Sequence, residues 1–120
     1  MNTSISSDDT QFKIKIVRLI LNKKTEQALS MLSQHYHVSM PKLKVGMPKG
    51  SVKHQGCYVT RSKTIHVANS SNFYNPYIIL HEFYHHLRTS GGKHKGTEKN
   101  ADKFAKNYIN TFYRYFTAQD

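Results

Sequence analysis

Residues 78–87 read Ile-Ile-Leu-His-Glu-Phe-Tyr-His-His-Leu, with His81 and His85 four positions apart and Glu82 directly after the first histidine. In a helix, residues four apart lie one turn above each other, with their Cβ atoms about 5–6 Å apart. Apolar residues occupy most of the other positions, so such a helix would be buried on several sides. The stretch therefore predicts a buried helix that holds two imidazoles and a carboxylate close together.

The limits of this helix are also visible in the sequence. Asn75 is a favourable N-cap, Pro76 suits the first helical position, and the Gly91-Gly92 pair ends the helix. A last helix is predicted to begin near Thr97. It carries an apolar stripe at the 3.6-residue period, formed by Ala101, Phe104, Ala105, Tyr108, Ile109, Phe112 and Phe116.

The first half of the chain predicts two helices and three strands. A helix over residues 11–21 is followed by a break, after which Thr25 is expected to cap a second helix, although one long kinked helix is also compatible with the pattern. Residues 61–63 form a turn that makes a hairpin of the last two strands, and residues 69–72 form a loop. The predicted strands are residues 43–47, 57–60 and 64–68. The expected architecture is α+β, with a small, mostly antiparallel three-stranded sheet, in one domain covering residues 1–120.

The pattern His-Glu-x-x-His on a helix is typical of zinc sites. Two imidazole nitrogens on one helical face can bind one zinc ion at about 2.0–2.1 Å each. Glu82 lies beside that pair and can take the proton of a water molecule that the metal has made acidic. His81 and His85 are therefore predicted metal ligands, and Glu82 a general base.

A third ligand is predicted on the last helix. Glu98 lies on its first turn, in line with Ala101 and Ala105, so its side chain is expected to face inward toward the preceding helix. Small residues at the latter two positions would let the helices approach closely. Asp102, one turn after Glu98, can accept a hydrogen bond from the second nitrogen of a ligand histidine. Without the histidine motif, both acids would be ordinary charges at a helix N-terminus.

These residues resemble the gluzincin clan of zinc peptidases, in particular the very short minigluzincins and the ImmA/IrrE-like metallopeptidases. The resemblance rests on His81-Glu82-x-x-His85 followed by Glu98-x-x-Ala101-Asp102-x-Phe104-Ala105, and covers about residues 57–108. It implies an active-site helix followed by a glutamate helix, and a zinc-dependent endopeptidase acting on peptides or proteins. The ligands would be His81, His85 and Glu98, with Glu82 as base and Asp102 behind a ligand. The chain lacks the Leu-Met-Pro-like sequence and the helix-turn-helix module of ImmA/IrrE-like proteins.

Several roles stay open in the sequence. The side chain that stabilises the oxyanion could be Tyr58, Tyr108, His66 or His94. His94 could instead be a fourth ligand that closes a structural zinc site. His86 is expected to be packed or to lie behind the ligands. Three further histidines have no supporting pattern: His35, His37 and His54.

The charge balance suggests a second class of function. The 120 residues contain 18 Lys and Arg against 7 Asp and Glu, for a net charge of +11. Such a surface favours nucleic acid or another acidic partner, and is equally compatible with ordinary solvation. The alternative function is thus a basic nucleic-acid-associated protein with a structural zinc site and no peptidase activity. A peptidase acting on nucleic-acid-associated proteins would combine both features.

The remaining expectations concern location and regulation. Cys57 is the one cysteine, so no intrachain disulfide can form and a reducing compartment is expected. No signal peptide or membrane span is recognisable, so a cytoplasmic protein without a membrane partner is predicted. The sequence does not indicate an oligomeric state. The aromatic end of the chain, residues 112–120, could fold over the cleft and make the enzyme latent, or could close the core against the N-terminal helix.

Overall fold

The structure, a computed structural model, describes residues 8–50, 54–90 and 96–118. They form an α+β fold with helices at both ends of the chain and a small sheet between them, which confirms the predicted fold class. In chain order the elements are α1 (Asp8–Leu21), α2 (Thr25–Tyr36), β1 (Lys42–Val45), β2 (Gly56–Val59), β3 (Thr64–Val67), a 3-10 helix (Ser70–Tyr74), α3 (Pro76–Ser90) and α4 (Glu98–Ala118).

The break between α1 and α2 is real, and the chain does not form one kinked helix there. Lys23 adopts a left-handed conformation with φ of 67°, which turns the chain out of α1. The prediction that Thr25 caps α2 is wrong, because Lys24 is the N-cap and makes no side-chain capping bond. The Thr25 hydroxyl donates instead to the carbonyl oxygen of Phe73, which ties α2 to the 3-10 helix. That helix occupies most of the segment expected to be a loop.

The sheet has the strand order β1-β3-β2. The predicted hairpin is confirmed, since β2 and β3 pair antiparallel with Cys57 opposite His66. Lys63, with φ of 53°, makes the turn. Strand β1 pairs parallel with β3, so the sheet is mixed, with one pairing of each kind where mostly antiparallel pairing was expected. The reason is the connection: residues 46–55 are too long for a tight turn, so β1 can take the far side of β3.

Helix α3 is the centre of the molecule. It packs against β2 and β3 on one side and against α1 and α4 on the other. Its residues from Ile78 to Phe83 are all buried, together with His85 and His86. A helix that is apolar on most sides has to be enclosed in this way. The predicted start is confirmed as well, because the side chain of Asn75 accepts a hydrogen bond from the backbone N–H of Ile78 at 3.2 Å. The predicted stop at Gly91-Gly92 lies outside the described residues.

Two features hold α4 close to α3. Ala101 and Ala105 are completely buried between the helices, as their small size predicted. Just before α4, Gly96 has φ of +80°, and a Cβ atom there would lie 2.7 Å from the Tyr84 ring. Any other residue would strain this backbone conformation and would have to displace the side chain of Tyr84 or the start of α4. Because Glu98 is the first residue of α4, this close approach also sets the position of its carboxylate.

The C-terminal half of α4 lies along α1. Phe112 is buried in the core, and the ring of Phe116 lies 5.5 Å from the guanidinium of Arg18 on α1. Phe112 and the partly buried Tyr115 thus pack on the core, as one of the two predicted roles required, whereas Tyr113 and Phe116 are exposed. In the described part of the chain, no helix is long and apolar enough to cross a membrane.

Candidate metal centre

Helix α3 presents two buried imidazoles to the same point. The His81 and His85 rings lie 5.3 Å apart between centroids and nearly perpendicular, with an interplanar angle of 75°. Their side chains are 11% and 2% exposed. One helical turn separates the residues, which brings the two rings close together. Each ring directs its Nε2 atom toward the start of α4.

Glu98 brings its carboxylate to both rings. Its Oε1 lies 2.8 Å from Nε2 of His81, and its Oε2 lies 2.9 Å from Nε2 of His85. One ligand atom from each of these three residues can be chosen so that all lie within 4.8 Å of one another. The expected inward orientation of Glu98 is only partly correct, because its side chain is 74% exposed. As the first residue of its helix, it has no preceding turn to cover it.

The charge state of Glu98 favours binding a cation. Partial burial raises the pKa of its carboxyl, but the hydrogen bond from His81 and the proximity of both imidazoles lower it, and the net direction is downward. The carboxylate is therefore ionised at neutral pH. It supplies a negatively charged oxygen beside two imidazole nitrogens.

Asp102 and Tyr77 stand behind His81. Oδ1 of Asp102 lies 3.2 Å from Nδ1 of His81, although the orientation of the ring is not that of a regular hydrogen bond. The Tyr77 hydroxyl donates to the same Oδ1, and the Tyr77 ring lies 5.6 Å from that of His81. The carboxylate that accepts this bond raises the pKa of Tyr77 to about 12, so its hydroxyl stays protonated and continues to donate. Asp102 thus lies beside the second nitrogen of His81 without the regular hydrogen bond predicted for it, and it is bonded to a tyrosine that sequence reasoning missed.

The donor set fits a divalent transition metal. Two histidines with one glutamate, arranged around a common point and open on one side, are a known ligand set of catalytic zinc sites. The carboxylate beside the far nitrogen of His81 is the outer partner that ligand histidines usually have. His81, His85 and Glu98 therefore form a group that could hold a metal ion.

Glu82 borders the same centre. It is buried and lines an open cleft of about 160 Å³ together with His81 and Glu98. Strand β2 forms the opposite wall, where a Cβ atom on Gly56 would lie 2.7 Å from Cγ2 of Ile78 and 3.5 Å from Cγ of Glu82. A glycine here lets the strand lie directly on α3. The complete lining of the cleft is His54, Gln55, Gly56, Tyr77, Ile78, His81, Glu82 and Glu98.

Three of the four side chains considered for the oxyanion do not border this cleft. The Tyr58 hydroxyl is buried 2.8 Å from Nδ1 of His86. The Tyr108 hydroxyl is 2.6 Å from that of Tyr36, and Nδ1 of His66 is 2.8 Å from the carbonyl oxygen of Gly46. Each ring is turned toward a partner elsewhere, so none of these three candidates is placed to stabilise the oxyanion at this cleft. The fourth candidate, His94, lies outside the described residues.

His86 is a packed residue, as one of its two predicted roles required. It is completely buried, with Nε2 donating to the carbonyl oxygen of Ser39 at 2.7 Å and Nδ1 accepting from the Tyr58 hydroxyl. Burial lowers its pKa despite the opposing effect of the Ser39 bond, so the ring is neutral. These bonds fasten α3 to β2 and to the chain before β1. The helix that carries His81 and His85 is thereby fixed in rotation.

Two cleft residues were missed in the sequence for different reasons. Tyr77 lies four residues before His81 and thus on its helical face, a relation that the sequence does contain. His54 reaches the cleft through the chain leading into β2, and no local pattern marks it.

No protein-family model, no curated protein and no solved structure matches this chain.

Proposed function

We propose that this protein is a zinc-dependent endopeptidase of the gluzincin type. One observation carries the proposal: the nitrogens of His81 and His85 and the carboxylate of Glu98 converge on one point, while the buried Glu82 borders the same cleft. A metal-binding group alone would fit a structural site. A further buried carboxylate at the open side of that group is what hydrolysis requires.

In this proposal, His81, His85 and Glu98 hold the metal. A bound zinc ion would polarise the scissile carbonyl and make the attacking water more acidic, to a pKa of about 7. Asp102 keeps His81 in the orientation that presents Nε2, and the Tyr77 hydroxyl keeps Asp102 in place. The fixed ring positions lower the entropy cost of binding the metal.

Glu82 acts as the general base and then as the general acid. It takes the proton of the attacking water and returns it to the nitrogen of the leaving amine when the C–N bond breaks. Its burial between α3 and β2 keeps bulk water from competing for the carboxylate. Of the other polar side chains at the cleft, Tyr77 donates to Asp102, whereas Gln55 only accepts from Asn72 through its Oε1. Among the described cleft residues, His54 and the amide nitrogen of Gln55 could therefore donate to the developing oxyanion.

The substrate would be an extended peptide. Strand β2 is at the edge of the sheet, and its first residue, Gly56, forms one wall of the cleft. A peptide could add to that edge by main-chain hydrogen bonds, which read the backbone and little of the side chains. The open cleft has room for few side-chain contacts, so broad specificity is expected.

The test compares peptidase activity of the parent with Glu82→Gln on a mixed peptide library in the presence of zinc. The variant should lose at least about a hundredfold in activity while keeping its fold and its zinc, since a general base contributes about 10²–10⁴-fold. Glu26→Gln, which removes an exposed acid on α2, is the matched control and should retain full activity.

The same comparison separates the two candidate functions. If the parent binds zinc stoichiometrically but cleaves nothing, a structural zinc site in a basic nucleic-acid-associated protein becomes the better account. If Glu82→Gln loses the metal itself, Glu82 is a ligand and its assignment as base is wrong. Equal activity in parent and variant would remove Glu82 from the mechanism.

A further inference from the structure

The outward face of α4 carries a line of cations. Lys99, Lys103, Lys106 and Arg114, here called the basic stripe, are all exposed. Their successive spacings of four, three and eight residues place them on one side of a helix that turns 100° per residue. The opposite side of α4 is buried against α1 and α3. The stripe is thus a single solvent-facing surface about 22 Å long, at 1.5 Å of rise per residue.

Few acids lie near the basic stripe. Of the two acids on α4, Glu98 is held by the histidines and Asp102 by Tyr77. From residue 103 to residue 117 the helix contains neither Asp nor Glu. Among the described residues, the ion pairs involve none of the four stripe cations. Although Lys106 lies close enough to Asp102 to interact with its charge, it forms no direct pair with it.

A helix face that contacts only solvent usually has a different pattern of charges. Solvent-exposed helices tend to alternate acids and bases three or four residues apart, and each such pair stabilises the helix by about 0.2–0.5 kcal/mol. Like charges at the same spacing destabilise it by similar amounts. Lys99, Lys103 and Lys106 follow one another at this spacing. The repulsion between these cations destabilises the free protein. Binding of an anion with regularly spaced charges would reduce that repulsion.

The neighbouring side chains point to the kind of anion. Asn107, Asn110 and Tyr113 share the exposed side of α4 with the stripe, and Tyr113 is 58% exposed. Amides, a phenol ring and cations together suit phosphates, sugars and bases. A lipid surface fits less well, because an interfacial helix needs a free apolar face and that of α4 is already buried in the core.

We propose that the basic stripe of α4 binds the phosphate backbone of a nucleic acid, without reading its sequence. Each strand of a duplex carries one phosphate per about 3.4 Å of helix axis, so a stripe of about 22 Å faces several phosphates at once. The stripe residues are distinct from the metal-site side chains, so nucleic-acid binding and peptidase activity can be tested separately. A protein with both activities would carry its hydrolytic centre while bound to nucleic acid.

The experiment measures fluorescence anisotropy of a labelled mixed-sequence DNA duplex, and of the matching single-stranded RNA, as the full-length protein is added at several salt concentrations. One variant changes Lys99, Lys103, Lys106 and Arg114 to Gln. The matched control changes Lys15, Lys42, Lys44 and Lys49 to Gln, removing the same number of positive charges from other exposed positions. Melting curves of all three proteins check that the fold is retained.

The stripe variant should bind at least about tenfold more weakly than the parent, and the slope of log affinity against log salt should fall by about two to four, near 0.9 for each lost phosphate contact. The control should change affinity less than about threefold. Equal losses in the two variants would show that only the overall charge matters and would overturn the proposal. So would a parent that binds neither nucleic acid more tightly than about 10⁻⁴ M near physiological salt, the weak end of non-specific binding. Binding to anionic phospholipid vesicles but to neither nucleic acid would assign the stripe to a membrane surface instead.

Discussion

The imidazole of His81 has two neighbours with different tasks. Its Nε2 lies beside Glu98, and its Nδ1 faces Asp102, which is itself fixed by Tyr77. The motif predicted the first relation, because His81 and His85 lie one helical turn apart and Glu98 was expected on the first turn of the next helix. The role of Tyr77 could not be predicted from the sequence, since a tyrosine on an apolar helix is usually a core residue.

At this scale, removal of the Tyr77 hydroxyl should weaken the site without dismantling it. We expect Tyr77→Phe to lower zinc affinity severalfold, and Asp102→Asn to lower it about 10–100-fold, as outer partners of ligand histidines do. Competition with a chromophoric chelator measures both values independently of any activity.

The matched control is Tyr113→Phe, which removes the hydroxyl of an exposed tyrosine on the outer face of α4. It should leave the zinc affinity unchanged. An effect of Asp102→Asn within about twofold would mean that this carboxylate is only a charge near a helix N-terminus, and the relay from Tyr77 to His81 would be wrong.

At the scale of elements, α3 and its N-terminal cap were the most predictable part of the molecule. Asn75, Pro76 and the apolar run define the helix from local chemistry alone. The pairing of β1 with β3 was not predictable in the same way, because strand partners across residues 46–55 are chosen by tertiary packing. Thr25 illustrates the same limit. Its hydroxyl was expected to cap α2, but it donates a hydrogen bond to a carbonyl oxygen of the 3-10 helix, which is distant in sequence.

The contact between β2 and α3 gives the next prediction. Gly56→Ala should destabilise the fold by about 1–3 kcal/mol, because the new methyl group would lie 2.7 Å from Cγ2 of Ile78 and has to displace the strand or the helix. Chemical denaturation measures this change. Peptidase activity should fall as well, since β2 forms a wall of the cleft, while zinc content stays near that of the parent.

A double variant shows whether this contact is the cause. Ile78→Ala removes the methyl group that the new Cβ would meet, so the combined Gly56→Ala and Ile78→Ala variant should lose less stability than the two separate losses predict. Strict additivity would place the cost of Gly56→Ala elsewhere, for example in the backbone of β2.

At the scale of the whole molecule, α4 joins the two ends of the structure. Glu98 at its start completes the candidate metal centre, and Phe116 near its end contacts Arg18 of α1. By the rise of an α-helix these two residues are about 27 Å apart. The composition showed that the surface is basic, but only the fold showed that four of the cations lie in one line on the outward face of α4.

The position of the chain end bears on latency. Deleting residues 117–120 should change neither peptidase activity nor melting temperature appreciably, because Phe116 and its contact with Arg18 remain while Thr117 lies about 28 Å along the helix from Glu98. Activity assays and thermal melts on the full chain and the shortened chain measure both. A rise in activity at unchanged melting temperature would support an inhibitory tail, acting within the chain or between molecules.

The central claim is that His81, His85 and Glu98 bind one zinc ion, and native mass spectrometry of the purified protein tests it most directly. The parent and Glu82→Gln should each carry about one zinc per chain, whereas His81→Ala, His85→Ala and Glu98→Ala should carry none and melt at lower temperature, because zinc that binds only the folded state stabilises it. His37→Ala, which removes an exposed histidine after α2, should retain the metal. A parent without stoichiometric zinc after zinc loading, or a Glu98→Ala variant that holds the ion as tightly as the parent, would contradict the account.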